Sequence, residues 1–381
     1  MPSTLAAAYT NTAHQILRRS SAYRAFIALP CSSSSYSSSC NNNYVWSTSE
    51  NRNRSRTRRY ISNTPLDTPE GSDLIKGLTI NTVSADGDGH PLAVYSIADN
   101  DFNNSTANNN DNKKRCPILL LHGRTWSAVP VYHLKSRSLM EAFRECNLEP
   151  YAVDFRGFGG TPRDATNRVE PHRCVNDTET VLKWIADRHE LESHEMPALL
   201  GWSQGALVAQ LTAQKSPQLM SKLTLYGSIY DPLVRYPRAP LYTKNGGYNY
   251  EHVVVENTYD GAIEDFTIEG SIAPDQAKLF AQAALISDPL KAIWARLDEF
   301  NNCDPARVNV PTLVVAGDQD PYAPLRVQSE LFSNLGRGAD RTWSIIADAD
   351  HAVHLLEGRG RFIRAVESFV QNGGKGGSSP F

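Results

Sequence analysis

Short, continuously apolar segments alternate with amphipathic segments between about residues 117 and 226. The apolar runs, such as Ile118 to Leu121, have the length of strands. Between them, residues 138–146, 176–188 and 205–213 read as helices. Strands that are apolar on both faces and separated by helices predict a mostly parallel, doubly wound sheet of the α/β class. Ligands of such folds bind at the carboxyl ends of the strands, so functional residues are expected there.

The segments on either side complete this organisation. Residues 78–83 and 92–97 flank an Asp-Gly-Asp-Gly turn, which predicts an antiparallel hairpin at the sheet edge. Residues 100–112, of which seven are Asn, are expected to form a solvated loop insertion. The core is therefore assigned to residues 61–230 and resumes at residues 305–372, followed by a flexible tail at 373–381.

The alternation stops between the two parts of the core. Residues 231–304 open with several Pro and with Gly246-Gly247, and helices are predicted near 274–284 and 288–300. This segment is interpreted as a cap, or lid, inserted after a core strand. Strands at 311–316 and 343–346, with helices near 325–335 and 360–371, then complete the sheet.

The first 60 residues differ in composition from the rest of the chain. They hold eight Arg, no Lys and a single acid, Glu50, whereas the other 321 residues carry 30 basic and 40 acidic side chains. They also contain 13 Ser, and so polar a segment cannot offset the entropy of ordering it. An Arg-rich, Ser-rich, acid-poor N-terminus predicts a disordered leader, residues 1–60, that serves as a transit peptide. The sequence at Arg58-Arg59-Tyr60 favours a mitochondrial address over a plastid one, with a merely disordered extension of a cytoplasmic protein as the alternative.

The sequence gives no support to several other classes. No segment approaches the roughly 20 apolar residues of a membrane-spanning helix. Six scattered Cys without a C-x-x-C pair predict a reducing compartment rather than a disulfide scaffold. His194-Glu195 lacks the second His of H-E-x-x-H and there is no glycine-rich phosphate loop, so neither a metal nor another cofactor is expected. Basic charge concentrated in the leader gives no support for nucleic-acid binding.

Gly201-Trp202-Ser203-Gln204-Gly205 stands between an apolar strand and a helix. A Ser in G-x-S-x-G lies on a sharp strand-to-helix turn that raises its hydroxyl above the sheet. The flanking glycines are needed because a Cβ would collide with the strained backbone. In this setting the pentapeptide predicts a nucleophile, and a Ser that only caps a helix is the less favoured interpretation.

A Ser hydroxyl needs a base to act as a nucleophile, and the base needs a carboxylate that orients it. Asp320 follows the predicted strand that ends at residue 316, and His351 follows the one that ends at residue 346. Both therefore belong to the carboxyl edge of the sheet, in the order Ser, acid, His that this turn predicts. Asp318 is a less favoured acid, and His354 is interpreted as a supporting or core histidine.

Together these segments resemble the α/β-hydrolase superfamily over residues 76–372. His122-Gly123 resembles its oxyanion loop, Asp154 to Gly159 its D-x-R-G-x-G turn and Gly317 to Asp320 its G-x-x-D acid motif. Asp350-His351 stands where the family usually has Gly-His. The resemblance implies an α/β-hydrolase fold with an inserted helical cap.

The resemblance also implies roles for individual residues. Ser203 would be the nucleophile, His351 the base and Asp320 the orienting acid. The backbone N–H groups of Arg124 and Gln204 would form the oxyanion hole. We expect His122, Asp154 and Arg156 to support turns rather than to contact substrate.

Further side chains are expected near this site. Trp126 and Trp202 flank it and are the predicted walls of the substrate pocket. Most cap aromatics, such as Phe280 and Trp294, are expected to pack the cap onto the core. Two roles are open for the Arg124 side chain: a salt bridge to a cap acid, which is favoured, or binding of a substrate carboxylate or phosphate.

A Ser nucleophile, unlike the Asp of epoxide hydrolases and haloalkane dehalogenases, implies an acyl-enzyme. We therefore expect a serine hydrolase that cleaves a small-molecule carboxylic ester or thioester. C–C bond hydrolysis and cofactor-free perhydrolysis on the same three residues stay open. A non-catalytic binding protein is less favoured because all three residues are present. The sequence does not indicate an oligomeric state.

Overall fold

One eight-stranded sheet organises the part of the chain that the structure describes. A computed structural model of the protein describes residues 64–98, 115–236, 255–264 and 266–372. The predicted leader, the Asn-rich insertion and the tail at 373–381 lie outside these ranges, so their interpretations stay predictions.

The strand order is β1-β2-β4-β3-β5-β6-β7-β8. The strands are β1 (Leu78–Ser84), β2 (Pro91–Ile97), β3 (Cys116–Leu121), β4 (Leu148–Val153), β5 (Ala198–Trp202), β6 (Lys222–Tyr226), β7 (Thr312–Gly317) and β8 (Arg341–Ile346). β2 pairs antiparallel with both β1 and β4, and all other neighbouring strands pair in parallel. The mostly parallel sheet and the edge hairpin are both confirmed.

Helices cover both faces of this sheet. They are α1 (Pro69–Leu74), α2 (Ala128–Tyr132), α3 (Leu139–Glu145), α4 (Pro171–Arg188), α5 (Gln204–Lys215), α6 (Tyr259–Ile263), α7 (Pro274–Ser287), α8 (Leu325–Asn334) and α9 (Arg359–Asn372). In β3, Ile118 and Leu120 belong to the core shared with α2, α3 and α9. Leu119 and Leu121 belong to the core shared with α4, α5 and α8. Because successive side chains of a strand point to opposite faces, β3 is apolar throughout.

The insertion between β6 and β7 contains α6 and α7. The helix predicted over residues 288–300 is wrong, because the backbone there pairs with distant segments. The Lys291 N–H donates to Val255 O at 2.8 Å, and Val169 exchanges bonds of 2.9 and 2.8 Å with Ile293 and Ala295. Only the last part, Leu297–Asn302, is helical, as a 3₁₀ turn. Local periodicity could not reveal these long-range partners.

Residues 64–74, which the sequence analysis assigned to the core without predicting an element there, form two short helical segments. A 3₁₀ turn, Pro65–Asp67, and α1 precede β1. The Thr64 N–H donates to Asp67 Oδ2 at 2.7 Å and Thr68 Oγ1 accepts from the Gly71 N–H at 3.0 Å. These capping residues, with Pro at the first position of each helix, are the signal that was overlooked. Within the described ranges, no helix is long and apolar enough to cross a membrane.

Candidate active site

Ser203 occupies the sharp turn between β5 and α5. Its φ of 58° and ψ of −119° are rarely adopted by a residue with a side chain. The Ser203 N–H donates to Tyr226 O at 2.9 Å, which ties the turn to the end of β6. The side chain therefore leaves the sheet at its carboxyl edge, as the sequence predicted.

The two glycines of the pentapeptide allow this close packing. A Cβ on Gly205 would lie 2.3 Å from His122 O, and one on Gly201 would lie 2.3 Å from Gly205 O. Neither backbone neighbour can move without disrupting β3, β5 or α5. The start of α5 can therefore lie directly on the loop after β3 only because both positions are glycine.

Asp320 and His351 form a buried pair. Asp320 Oδ2 lies 2.8 Å from His351 Nδ1, and Asp320 Oδ1 accepts from the Tyr322 and Ala323 N–H groups, both at 2.9 Å. The side chains of Asp320 and His351 are 0% and 4% exposed. Three hydrogen bonds thus fix the carboxylate against the imidazole, which is the orientation that a general base requires.

Two neighbours connect this pair to Ser203. A Cβ on Gly227, the residue after Tyr226, would lie 3.2 Å from both Asp320 Oδ2 and His351 Nδ1. Trp202, the residue before Ser203, donates from Nε1 to His351 O at 2.9 Å, and its ring centroid lies 5.1 Å from that of His351. The structure therefore brings the ends of β5, β7 and β8, with the three predicted residues, to one place.

The loop after β3 lies against the same turn. A Cβ on Gly123 would lie 3.3 Å from Ser203 Cβ, which places the residue before Arg124 beside the Ser. Gln204 is the first residue of α5, where backbone N–H groups lack a partner within the helix. The two N–H groups predicted to form the oxyanion hole thus belong to segments that meet at Ser203, and their role stays a prediction.

His122 supports this loop, as expected. Its Nδ1 lies 2.9 Å from Gly123 O and its Nε2 accepts from the Phe155 N–H at 3.1 Å. The ring is fully buried, and burial lowers the pKa of His122 to about 3. A neutral ring with both nitrogens bound to backbone groups holds the loop and the Asp154 turn together.

The favoured role of the Arg124 side chain, a salt bridge to a cap acid, stays a prediction. Arg124 is half-buried and makes no ion pair within the described residues, with a cap acid or with any other. The contact with the insertion is made by its backbone instead, since Arg124 O accepts from Trp294 Nε1 at 2.9 Å. Both roles of the Arg124 side chain, a salt bridge to a cap acid and binding of a substrate anion, therefore stay open.

The two predicted pocket walls are almost fully buried. Trp126 packs edge-on against Phe280 of α7, with ring centroids 6.4 Å apart. Trp202 contacts His351 and His354. His354 is buried, and its Nδ1 lies 2.9 Å from the Tyr226 hydroxyl. His354 is thus a core histidine, while substrate contact by either Trp stays a prediction.

Arg156 fixes a turn, as expected. Its guanidinium binds Asp177 at 2.8 and 2.7 Å and also binds Asp88 in the β1–β2 turn. It is 5% exposed. These two carboxylates hold the loop after β4 between the hairpin and α4.

Two buried acids lie beside the oxyanion loop: Asp154, which supports its turn as expected, and Asp288, which sequence reasoning missed. Asp288 accepts from the Ser127 and Gly159 N–H groups at 2.7 and 3.0 Å. Asp154 accepts from the Ala128 N–H at 2.7 Å and from the Tyr95 hydroxyl at 2.6 Å. Burial raises the pKa of Asp154 to about 7 and that of Asp288 to about 6. Asp288 carried no signal of this role, because the predicted helix over residues 288–300 makes it an ordinary first residue of a helix.

Among the residues that the structure describes, no group of three or more His, Cys, Asp or Glu side chains is placed to hold a metal ion. The four Cys of these ranges are free thiols: Cys116, Cys146, Cys174 and Cys303.

A mostly parallel sheet of this order, with a strained Ser beyond β5, defines the class of α/β hydrolases. Residues 112–358, more than half of the chain, match the family described as serine aminopeptidase, S33, and the chain belongs to this family. Residues 112–358 therefore form an α/β-hydrolase domain of this family.

The chain is also similar to individual proteins. A probable alcohol acetyltransferase from Saccharomyces cerevisiae is 30% identical over 114 residues, 30% of each chain. The biotin biosynthesis bifunctional protein BioHC from Cellvibrio japonicus is 26% identical over 269 residues, 67% of this chain and 47% of that one. This chain thus spans less than half the length of either relative. The solved structure of a thermophilic esterase from Thermogutta terrifontis superposes with a TM-score of 0.52 at 17% sequence identity. The match covers 78% of this chain and 99% of the esterase chain, which shows a shared fold.

Proposed function

We propose that the protein hydrolyses a carboxylic ester or thioester through an acyl-enzyme on Ser203. The observation that supports this proposal is the 2.8 Å contact between Asp320 and His351 beside the strained turn of Ser203. A buried carboxylate that orients an imidazole next to a raised hydroxyl is the arrangement that nucleophilic acyl transfer requires.

In the first step, Ser203 Oγ attacks the carbonyl carbon while His351 Nε2 accepts the hydroxyl proton. His351 Nδ1–H continues to donate to Asp320, and this tautomer is assigned from the hydrogen bond. The carboxylate stabilises the imidazolium that forms, so the proton transfer does not leave an uncompensated charge.

The oxyanion of the tetrahedral intermediate would be held by the Arg124 and Gln204 N–H groups. Loss of one such donor costs roughly 3 kcal/mol of transition-state stabilisation. The C–O or C–S bond then breaks, and His351 returns its proton to the departing alcohol or thiol. Water attacks the acyl-enzyme by the same proton path and releases the acid and Ser203.

Labelling of the full-length purified protein with a fluorophosphonate tests the nucleophile. We expect Ser203 to be labelled, and we expect Ser203→Ala to lose the label. Ser193→Ala, which removes the hydroxyl of an exposed loop residue, is the matched control and should label normally. Unlabelled wild-type protein, or labelling that survives in Ser203→Ala, would contradict the proposal.

Esters and acyl thioesters of graded chain length then test the reaction. We expect turnover of at least one series, with no turnover by Ser203→Ala. Labelling without turnover of either series would instead favour C–C bond hydrolysis or perhydrolysis on the same three residues.

A further inference from the structure

Asp350 departs from the Gly that usually precedes the base in this family. Its side chain is fully buried and faces the insertion between β6 and β7. Asp350 Oδ2 accepts from the Thr267 N–H at 2.8 Å, the Thr267 hydroxyl at 3.2 Å and the Ile268 N–H at 3.3 Å. Asp350 Oδ1 accepts from the Ala352 N–H at 3.2 Å. All four donors are uncharged, and three belong to the insertion.

The segment that supplies these donors also reaches the oxyanion loop. The ring of Phe266, the residue before Thr267, lies 5.4 Å from that of Phe280. Phe280 lies on α7 and packs against Trp126. At the end of α7, Asp288 accepts from the Ser127 N–H. Residues 266–288 therefore contact the loop that carries His351 at one end and the oxyanion loop at the other.

His351 is thus held from two sides. Its carbonyl accepts from Trp202 Nε1, which belongs to the core. The residue before it is bound to Thr267 and Ile268, which belong to the insertion. A Gly at position 350 would provide no acceptor for these N–H groups. The bond from the Glu357 N–H to Ser271 O at 3.3 Å, six residues beyond His351, would then join the loop to the insertion.

We propose that Asp350 is a positioning residue that couples residues 266–268 of the insertion to the catalytic base, so that the placement of His351 depends on how this segment is seated. The inference rests on the proposed function, because it assigns His351 that role. Its consequence is specific. Loss of the Asp350 contacts lowers the turnover number even for an ester too short to touch the insertion.

The test compares Asp350→Asn with Asp348→Asn in the full-length protein, using a short acetyl ester. Asn keeps one acceptor oxygen, so its NH₂ faces either the Thr267 and Ile268 donors or the Ala352 N–H, and the bonds that remain lose a charged acceptor. Misplacement of a catalytic group by about 1 Å can cost about 100-fold in rate, and we expect kcat to fall by at least about tenfold with KM changed less than about twofold. Asp348 is exposed and has a φ of 53°, which Asn tolerates well. Its variant removes the same charge nearby and should keep the wild-type kcat.

If Asp350 only held the insertion in place, its loss would divide differently between KM and kcat. It would raise KM for long-chain esters that contact the insertion and leave kcat for the acetyl ester unchanged, and that result would overturn the coupling. Thr267→Val removes one donor from the insertion side, and we expect a smaller fall in kcat, about twofold to fivefold. If thermal unfolding shows that Asp350→Asn does not fold, Thr267→Val serves as the test in its place. A wild-type kcat in a folded Thr267→Val variant would then refute the inference.

The two proposals fail in different ways. Absence of fluorophosphonate labelling at Ser203 in the wild-type protein would end the proposed function. A labelled, active wild-type enzyme together with wild-type kcat in a folded Asp350→Asn variant would end only the coupling.

Discussion

His122 and His351 are both buried histidines in loops at the carboxyl edge of the sheet, yet their surroundings differ in kind. The nitrogens of His122 meet two backbone groups, Gly123 O and the Phe155 N–H. His351 Nδ1 meets the carboxylate of Asp320, which is fixed by two N–H donors of its own. The first arrangement stabilises a neutral ring, and the second also stabilises a charged one.

This difference shows what separates a structural histidine from a candidate base in one sheet. Burial and position are shared, so they cannot decide the role. The partner decides it, because only a carboxylate compensates the charge that a base acquires in the transition state. His354 agrees, since it is equally buried, binds the Tyr226 hydroxyl and has a pKa lowered by burial to about 3.

The largest expected effect comes from making the His351 site resemble the His122 site. Asp320→Asn replaces the carboxylate oxygen that faces His351 Nδ1 by an amide NH₂. The amide donates to an unprotonated Nδ1, so the proton lies on Nε2, which then cannot accept the Ser203 proton. We expect kcat/KM for an ester to fall about 10³- to 10⁴-fold while the protein remains folded. Steady-state kinetics and circular dichroism measure the two quantities.

Asp318→Asn is the matched control, because Asp318 lies in the same loop and accepts from the Ala349 N–H at 3.2 Å. Asn can keep that bond, so most of the activity should remain. The opposite ranking of the two variants would assign the orienting role to Asp318.

The sequence was informative wherever function depends on a residue with fixed local neighbours. The pentapeptide Gly201 to Gly205 predicted the strained turn because no larger residue fits at its two ends. A Cβ on Gly201 would collide with α5, and one on Gly205 would collide with the loop after β3. Gly317 is similar, since a Cβ there would lie 2.2 Å from Ala349 O. Close packing of this kind restricts the position to glycine, so the sequence motif alone could identify Ser203 and Asp320.

The sequence failed where partners are distant and the residue type is ordinary. Asp288 binds the Ser127 and Gly159 N–H groups across more than 100 residues, and no local pattern distinguishes it from a surface Asp. Residues 288–300 show helical periodicity, but the backbone partners supplied by Val169 and Val255 favour an extended path. The departure at Asp350 was visible, yet its partners in the insertion were not.

A second prediction concerns the stability that His122 contributes. His122→Phe keeps the ring packing but leaves the buried Phe155 N–H without its acceptor, which should cost about 1–3 kcal/mol of unfolding free energy at pH 8. The pKa of His122 is lowered to about 3 in the folded protein, so unfolding takes up a proton below about pH 6.5. The wild-type protein therefore loses stability as the pH falls, and the variant does not lose this part.

The gap in unfolding free energy between the wild type and His122→Phe should consequently narrow from pH 8 to pH 5, by about 1–2 kcal/mol. Urea titrations at both pH values measure the gap. His354, Asp154 and Asp288 also titrate abnormally, but they are present in both proteins and largely cancel in the difference. His194→Phe, at an exposed position, is the matched control for the loss of a histidine and should give only a small gap at pH 8. A gap that widens for His122→Phe from pH 8 to pH 5 would contradict a neutral ring.

The smallest expected effect concerns the Arg124 side chain, which is half-buried without an ion pair in the described part of the chain. If it binds a substrate anion, Arg124→Ala should lower the ratio of kcat/KM for a dicarboxylic acid monoester to that for a neutral ester of equal length. A partly exposed ion pair contributes about 0.2–1 kcal/mol, so the ratio should change only about 1.5- to 5-fold. Lys135→Ala removes an exposed positive charge and controls for the net charge of the protein. Because both esters meet the same Ser203, His351 and backbone N–H groups, a ratio equal to that of the wild type would show that the guanidinium does not select the substrate.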